Sequence, residues 1–190
     1  RRFHTPGMER LFESLYEAPI VDKDGYEYLV HPISNGVPQL DPALLREVVV
    51  EIVRRMDVDV DKLVAPEAMG IHLATAVSLQ ADVPLTVIRK RPYGLDGERE
   101  LSKETGYSSS EMYVNEIYPD DRIVILDDLL STGGTLAAIC KTLDAIGCEI
   151  ADIIVVLRKA NTESALDDTD YEVTSLVDIT VEDGTVTIHE

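Results

Sequence analysis

Residues 122–135 constrain the fold of this chain more than any other segment. Arg-Ile-Val-Ile-Leu forms a nearly continuous apolar run, which is typical of a strand buried on both faces. Two adjacent acids, Asp127 and Asp128, follow it, and a short loop of Ser, Thr and Gly leads into a predicted helix over Gly134–Ile146, with Gly147 as its C-terminal cap. A buried strand joined to a helix in this way is the repeating unit of a parallel sheet covered by helices.

The same alternation continues on both sides of this segment. Further strands are predicted over residues 26–30, 62–66, 84–89, 149–157, 173–179 and 185–189. Further helices are predicted over residues 8–17, 43–56 and 70–80. Asp41 is the predicted N-cap of the second of these helices, with Pro42 in its first turn. We therefore expect an α/β fold with a central parallel sheet flanked by helices, closed by a C-terminal hairpin.

The 190 residues fit one globular domain. We expect a small N-terminal hood over residues 1–40, a core over residues 41–160 and the terminal strands over residues 161–190. Pro and Gly predict that residues 31–38 have no regular structure. Residues 92–111 contain Pro, three Gly and several Ser without an apolar period, so they are predicted to be a flexible lid loop.

The formal net charge of −19, from 36 acidic and 17 basic residues, argues against a nucleic-acid partner. A substrate with several phosphates would need Mg²⁺ and a local basic cluster to approach. Acid spread along the whole chain favours a salt-adapted, halophilic source, with an ordinary acidic protein as the alternative.

No apolar run approaches the roughly 20 residues of a membrane span, and no signal peptide is visible, so a cytoplasmic protein is expected. Cys140 and Cys148 are expected to be free thiols.

The loop after the acidic pair has the features of a phosphate site. Its glycines permit the backbone to turn several N–H groups toward one anion, and the following helix N-terminus favours negative charge. Its residues are Ser131, Thr132, Gly133, Gly134 and Thr135. Asp127 and Asp128 suit ribose hydroxyls and Mg²⁺, bound directly or through water. The alternative is a helix cap with an accidental acidic pair; a Walker loop is excluded because its Gly-Lys-Ser/Thr ending is absent.

Residues 123–135 resemble the phosphoribosyl-pyrophosphate (PRPP) signature of the type I phosphoribosyltransferases. The segment Val-Ala-Pro-Glu-Ala-Met-Gly-Ile at residues 64–71 is similar to the pyrophosphate loop of the purine enzymes. Arg89-Lys90-Arg91, followed by Gly94, is similar to the basic stretch before their flexible loop. The resemblance covers roughly residues 41–157 and points to the archaeal hypoxanthine or adenine phosphoribosyltransferase group.

This resemblance implies a role for each matching residue. The acidic pair would bind the ribose, and the loop 131–135 would hold the 5′-phosphate. Pyrophosphate would meet the backbone of Glu67, Ala68, Met69 and Gly70 and the charges of Arg89, Lys90 and Arg91. The implied activity converts a purine base and PRPP to a nucleoside 5′-monophosphate and pyrophosphate, with Mg²⁺, in a homodimer.

Other assignments stay open at the level of sequence. Met69 replaces an Arg that the adenine enzymes often carry. Glu104 or Glu111 would be the general acid or base, or a surface carboxylate. His31 and Asn35 would contact the base, or stabilise their own turn. A PRPP-sensing regulator, an inactive paralogue, or an enzyme acting on orotate or uracil are the alternative functions.

Overall fold

The computed structural model describes residues 7–103 and 110–189. Within these ranges the helices are α1 (Glu9–Tyr16), α2 (Pro32–Asn35), α3 (Pro42–Arg55), α4 (Met69–Ala81) and α5 (Gly134–Ile146). The strands of the same ranges are β1 (Ile20–Lys23), β2 (Tyr26–Leu29), β3 (Lys62–Pro66), β4 (Leu85–Ile88), β5 (Arg99–Lys103), β6 (Ser110–Val114), β7 (Arg122–Leu130), β8 (Glu149–Lys159), β9 (Val173–Glu182) and β10 (Thr185–His189).

A six-stranded sheet in the order β10-β9-β8-β7-β3-β4 forms the centre of the molecule. Its strands are parallel except for β10, which pairs antiparallel with β9 as the predicted terminal hairpin. The predicted α/β architecture is therefore confirmed. Because β7 lies inside the sheet, whatever follows its apolar run is delivered to the carboxyl edge, where open α/β sheets bind ligands.

Each face of the sheet is covered by its own hydrophobic cluster. Side chains of β7 alternate between them: Val124 and Leu126 pack with α1, α3 and α4, whereas Ile123 and Ile125 pack with α5 and the hairpin β5–β6. This alternation follows from the two-residue period of a strand and explains why the run is apolar throughout.

The helix ends follow the expected local chemistry. The Asp41 carboxylate accepts hydrogen bonds from the N–H groups of Ala43, at 2.6 Å, and Leu44, at 3.2 Å, so the predicted N-cap of α3 is confirmed. Gly147 ends α5 in the left-handed conformation, with φ of 98°. None of the helices in the described parts of the chain is long and apolar enough to cross a bilayer.

Three local predictions are corrected by the structure. Residues 31–38 contain the short helix α2, because Pro32 occupies its first turn and His31 caps it. The segment 92–111 contains β5 and β6, which pair as an antiparallel ribbon with Leu101 and Met112 buried against α5. The strand of residues 122–126 continues to Leu130, because its pairing with β8 extends past the acidic pair.

We refer to the N-terminal elements α1, β1, β2 and α2 as the hood. The helix α2 packs against α4 and β7, and β2 packs against β9. The Lys159 ammonium at the end of β8 donates a hydrogen bond to the Tyr26 hydroxyl of β2. The hood is thereby fixed beside the carboxyl edge of the sheet.

Candidate active site

β7 places a buried carboxylate, Asp127, beside a half-buried one, Asp128, at the carboxyl edge of the sheet. Asp127 is 9% exposed, and its Oδ1 accepts a 2.9 Å hydrogen bond from the Asp128 N–H. Burial raises the pKa of Asp127 well above its usual range, and the neighbouring Asp128 charge adds to this effect. Burial also raises the pKa of Asp128. Among the described residues no Lys or Arg forms an ion pair with either acid.

Two polar side chains that sequence reasoning missed lie beside Asp128. The Ser34 hydroxyl of α2 and the His72 imidazole of α4 both counteract the rise in the Asp128 pKa. Their buried atoms, Ser34 Oγ and His72 Nε2, have no partner with hydrogen-bonding geometry within the described ranges. Burial lowers the pKa of His72, and the charge of Asp128 partly offsets this effect. The hood and the core thus meet at the Asp128 carboxylate. No local sequence motif predicts that Ser34 and His72 lie there.

The loop 131–135 leads directly from β7 into the N-terminus of α5. Gly133 is the N-cap residue and has φ of 71°, which is a left-handed conformation that favours glycine. No side chain of the described residues caps this helix, whose first backbone hydrogen bond runs from Ala137 N–H to Gly133 oxygen at 2.9 Å. The first-turn N–H groups therefore remain for a ligand, and an anion suits them.

Residues 67–70 lie at the carboxyl end of the neighbouring strand β3. The Glu67–Ala68 peptide bond is cis, and α4 begins at Met69. Gly70 is packed so closely that an added Cβ would lie 3.2 Å from Pro66 and 3.5 Å from Asp127 Oδ1. The sequence-predicted pyrophosphate segment and the acidic pair are therefore adjacent.

The predicted basic run begins just after β4, next to the same segment. The guanidinium of Arg89 forms an ion pair with Glu67, with an Nε–Oε2 distance of 2.5 Å. Glu67 also accepts a 3.0 Å hydrogen bond from the Lys90 N–H. Arg91 is exposed and donates to the Tyr93 hydroxyl at 3.1 and 3.2 Å. Arg89 is therefore paired with Glu67, an acid of the same segment 67–70 that is predicted to bind pyrophosphate. The Lys90 side chain is exposed.

The two residues considered for base binding are occupied within the hood. His31 is fully buried: its Nδ1 accepts from the Ile33 N–H at 3.3 Å and its Nε2 is 2.9 Å from the Ser14 hydroxyl. Desolvation lowers its pKa to about 4. The Asn35 amide joins the His31 N–H to the Tyr28 hydroxyl, at 2.9 and 2.8 Å. Both side chains stabilise their own turn, so the contact with a base that was considered for them is not supported.

A pocket of about 370 Å³ lies beside the phosphate loop. Its lining includes Ser131, Arg158, Lys159, Tyr171 and Asp178. Arg158 donates to Asp178 Oδ1 at 2.9 Å, which leaves Lys159 as the second cation of the wall. Sequence reasoning missed this pocket, although an Arg-Lys pair ending the strand next to β7 was a usable signal.

The site was also tested for its fit to Mg²⁺. Within the described ranges no three His, Cys, Asp or Glu side chains are grouped so as to hold a metal ion. Mg²⁺ commonly binds only one or two carboxylates together with substrate phosphates, and Asp127 and Asp128 offer that number. Their raised pKa values, caused first by burial, are those of carboxylates without a cation partner. The donor set fits an ion that arrives with its substrate.

The candidate general acid or base Glu104 lies outside the described residues. The alternative candidate, Glu111, accepts a hydrogen bond from the Tyr113 hydroxyl at 2.7 Å.

The combination of acidic pair, phosphate loop and parallel sheet has a known counterpart. The family profile described as phosphoribosyl transferase domain matches residues 40–187. The chain belongs to this family and is a phosphoribosyltransferase of type I fold.

Individual proteins agree with this assignment. The HGPRTase-like protein 2 of Haloterrigena turkmenica is 71% identical over 182 residues, which cover 96% of this chain and all of that protein. The HGPRTase-like protein 1 of Halalkalicoccus jeotgali is 70% identical over 182 residues, with the same coverage of both chains. The adenine phosphoribosyltransferase of Thermoanaerobacter pseudethanolicus has a TM-score of 0.75 at 21% identity, covering 88% of this chain and 99% of that one. At that identity the likeness shows the fold.

Proposed function

We propose that the chain transfers the 5-phosphoribosyl group of PRPP to a purine base, releasing pyrophosphate and a nucleoside 5′-monophosphate. The observation that carries the proposal is a buried and a half-buried carboxylate, neither of them paired with a Lys or Arg of the described residues, placed one loop away from an uncapped helix N-terminus. Hydroxyl-binding acids and an anion site at this spacing suit a ribose 5-phosphate.

Each part of PRPP has a matching part of the site. The 5′-phosphate is assigned to the loop 131–135, and the ribose hydroxyls to Asp127 and Asp128. Pyrophosphate is assigned to the backbone of residues 67–70, with the exposed Lys90 and Arg91 supplying positive charge. Arg89 reaches pyrophosphate only if its pair with Glu67 opens, so its role is the least supported of the three basic residues.

The reaction breaks the bond between the ribose C1 and the pyrophosphate oxygen, and the electron pair leaves with that oxygen. A base nitrogen forms the new bond to C1 from the opposite face. Mg²⁺, bound with the substrate, would offset the negative charge of the leaving group. The chain's own contribution is to hold the two ends of PRPP on rigid elements and to supply N–H donors where negative charge develops.

The pocket beside Ser131 is the proposed base site, because it adjoins the 5′-phosphate loop and includes Lys159, whose ammonium bonds the Tyr26 hydroxyl of the hood. The Lys159 ammonium, which bonds the Tyr26 hydroxyl, donates hydrogen bonds and accepts none. A 6-oxopurine presents a carbonyl acceptor there, whereas adenine presents an amino donor. We therefore favour hypoxanthine or guanine over adenine.

The assembly and the conditions of activity are proposed on separate observations. We propose a homodimer through α4, because this helix is apolar on most of its surface and Leu79 is 82% exposed. We propose a cytoplasmic enzyme that is active in molar salt, because a net charge of −19 repels itself least when screened.

Pyrophosphate release tests the function. The protein is supplied with PRPP and Mg²⁺ in molar KCl, and each purine and pyrimidine base is offered separately. Release with hypoxanthine or guanine supports the proposal, and release only with adenine overturns the assignment of the pocket. If PRPP binds and no base is consumed, the sensing regulator or inactive paralogue is correct. Release with orotate or uracil would assign a different enzyme on the same fold.

A further inference from the structure

A segment after β8 packs against the phosphate loop. We name residues 162–169 the brace. The N–H of Ala165 donates a 2.8 Å hydrogen bond to the carbonyl oxygen of Thr132. A Cβ added to Gly133 would lie 2.2 Å from Ser164 Oγ and 3.3 Å from the Ala165 nitrogen. The brace and the loop are therefore in contact at the residue where the backbone turns into α5.

The brace is anchored independently of the loop. Leu166 is 4% exposed and packs into the core beneath α5. The Ser164 N–H donates to Asp167 Oδ2 at 2.7 Å, and the Leu166 N–H donates to Ser164 Oγ at 3.2 Å. The Thr169 hydroxyl donates to the Leu166 carbonyl at 2.7 Å. These contacts fix the direction of the Ala165 N–H before any ligand arrives.

The planar peptide transmits this direction to the ligand side of the loop. The peptide between Thr132 and Gly133 is trans, so its C=O and its N–H point in opposite directions. When Ala165 holds the carbonyl toward the brace, the Gly133 N–H must point away from it. This N–H has no acceptor within the described ranges. If the peptide turned over, a carbonyl oxygen would replace the donor, and glycine opposes such a turn only weakly.

We propose that the backbone N–H of Ala165 is a positioning group that aims the Gly133 N–H at the 5′-phosphate. Ala165 does not touch the substrate and acts only through the Thr132 carbonyl. The inference rests on the proposed function in taking the loop 131–135 as the site of the 5′-phosphate. The proposal goes further in assigning part of the phosphate affinity to a residue outside the loop. The Ala165 side chain takes no part, because only its backbone N–H acts.

Ala165→Pro removes the donor and leaves the other contacts of the brace in place. We expect its affinity for ribose 5-phosphate to fall roughly tenfold, which is the weight of one hydrogen bond to a charged group. Its affinity for inorganic pyrophosphate, which has no 5′-phosphate, stays within about twofold. Its KM for PRPP rises while kcat is kept. A merely structural role would weaken both ligands together.

Two matched variants control for the substitution itself. Ala165→Ser changes the side chain and keeps the N–H, so it retains the affinity of the wild-type chain for ribose 5-phosphate. Glu163→Pro places a proline in the same segment, at an N–H without an acceptor in the described ranges, and is also expected to bind normally. If Glu163→Pro weakens ribose 5-phosphate as much as Ala165→Pro does, the specific hydrogen bond is not the cause.

Amide hydrogen exchange on the wild-type chain tests the same idea without a variant. The Ala165 amide is expected to be protected before ligand is added, and the Gly133 amide to become protected only with ribose 5-phosphate. An unprotected Ala165 amide, or a Gly133 amide that ignores the ligand, overturns the proposal. If ribose 5-phosphate binds as described but no base is consumed, the positioning role stands and the proposed function fails. If the wild-type chain does not bind ribose 5-phosphate, both are wrong.

Discussion

Acidic side chains gather at both edges of the central sheet, and the two groups differ in how their charge is balanced. At the amino edge, Arg122 donates to Asp57 Oδ2 at 2.7 Å and to Glu149 Oε1 at 2.9 Å. Lys62 donates to Asp121 Oδ2 at 2.6 Å. The Arg122 hydrogen bond lowers the pKa of Asp57 below its usual range.

At the carboxyl edge Asp127 and Asp128 have no such partner among the described Lys and Arg residues. Asp127 and Asp128 are more buried than the acids of the amino edge, and burial raises the pKa of both. A pair of unpaired buried carboxylates destabilises a fold, so a structural role does not explain it. The comparison indicates that the paired amino-edge acids serve the fold, whereas Asp127 and Asp128 serve a ligand.

The largest expected effect is on catalysis. Asp127→Asn and Asp128→Asn each lose the charge that binds the ribose and Mg²⁺, and we expect turnover to fall by about 10²-fold or more. Asp57→Asn makes the same chemical change at the amino edge and is expected to keep its activity. Steady-state pyrophosphate release from PRPP measures all three. Unchanged turnover in both carboxyl-edge variants would contradict the assignment of the site.

The two edges also differ in how far the sequence predicted them. At the carboxyl edge one contiguous stretch contains the apolar run of residues 122–126, the acidic pair and the glycines of the loop. A local pattern of this kind predicts a strand, a ligand site and a helix. The partners of Asp128 come from elsewhere: Ser34 is almost a hundred positions earlier and His72 belongs to another helix. Such contacts depend on tertiary packing, which a local pattern does not encode.

In the hood the sequence left two interpretations open. His31 and Asn35 would either contact the base or, more commonly for such residues, stabilise their own turn. In the structure the ring of His31 is buried and satisfied by Ser14, which lies on a helix earlier in the chain. The contact between His31 and Ser14 of α1 favours the second interpretation, and this contact depends on tertiary packing.

A smaller effect is expected on stability, with opposite signs at the two edges. Asp127→Asn removes an unpaired buried charge, so its melting temperature at pH 7 should rise above that of the wild-type chain. Asp57→Asn removes a partner of Arg122, so its melting temperature should fall. Thermal unfolding followed by circular dichroism checks both. A fall in both variants would mean that Asp127 is stabilised by contacts that the amide breaks.

The effects of Asp127→Asn and Asp57→Asn on stability should depend on pH. The pKa of Asp127 is raised above 3.8 in the folded state, so the folded state holds its proton longer and stability falls as pH rises through that window. The pKa of Asp57 is lowered below 3.8, so its contribution is present above 3.8 and is lost as pH falls through the folded value. The benefit of Asp127→Asn should therefore disappear in acid. The penalty of Asp57→Asn should disappear there as well, at a lower pH.

The smallest expected effect concerns salt at the amino edge. Arg122 also donates to the Asp59 carbonyl at 2.8 Å, so Arg122→Gln leaves several oxygens without their cation. Because solvent reaches these groups, salt screens their attraction. We expect a loss of about 3 °C in melting temperature at 0.1 M salt and less in molar KCl. Activity should be unchanged at both salt concentrations, since the carboxyl edge is untouched. An equal loss of melting temperature at low and high salt would show that Arg122 acts through packing, and the contrast between the two edges would then not be one of charge balance.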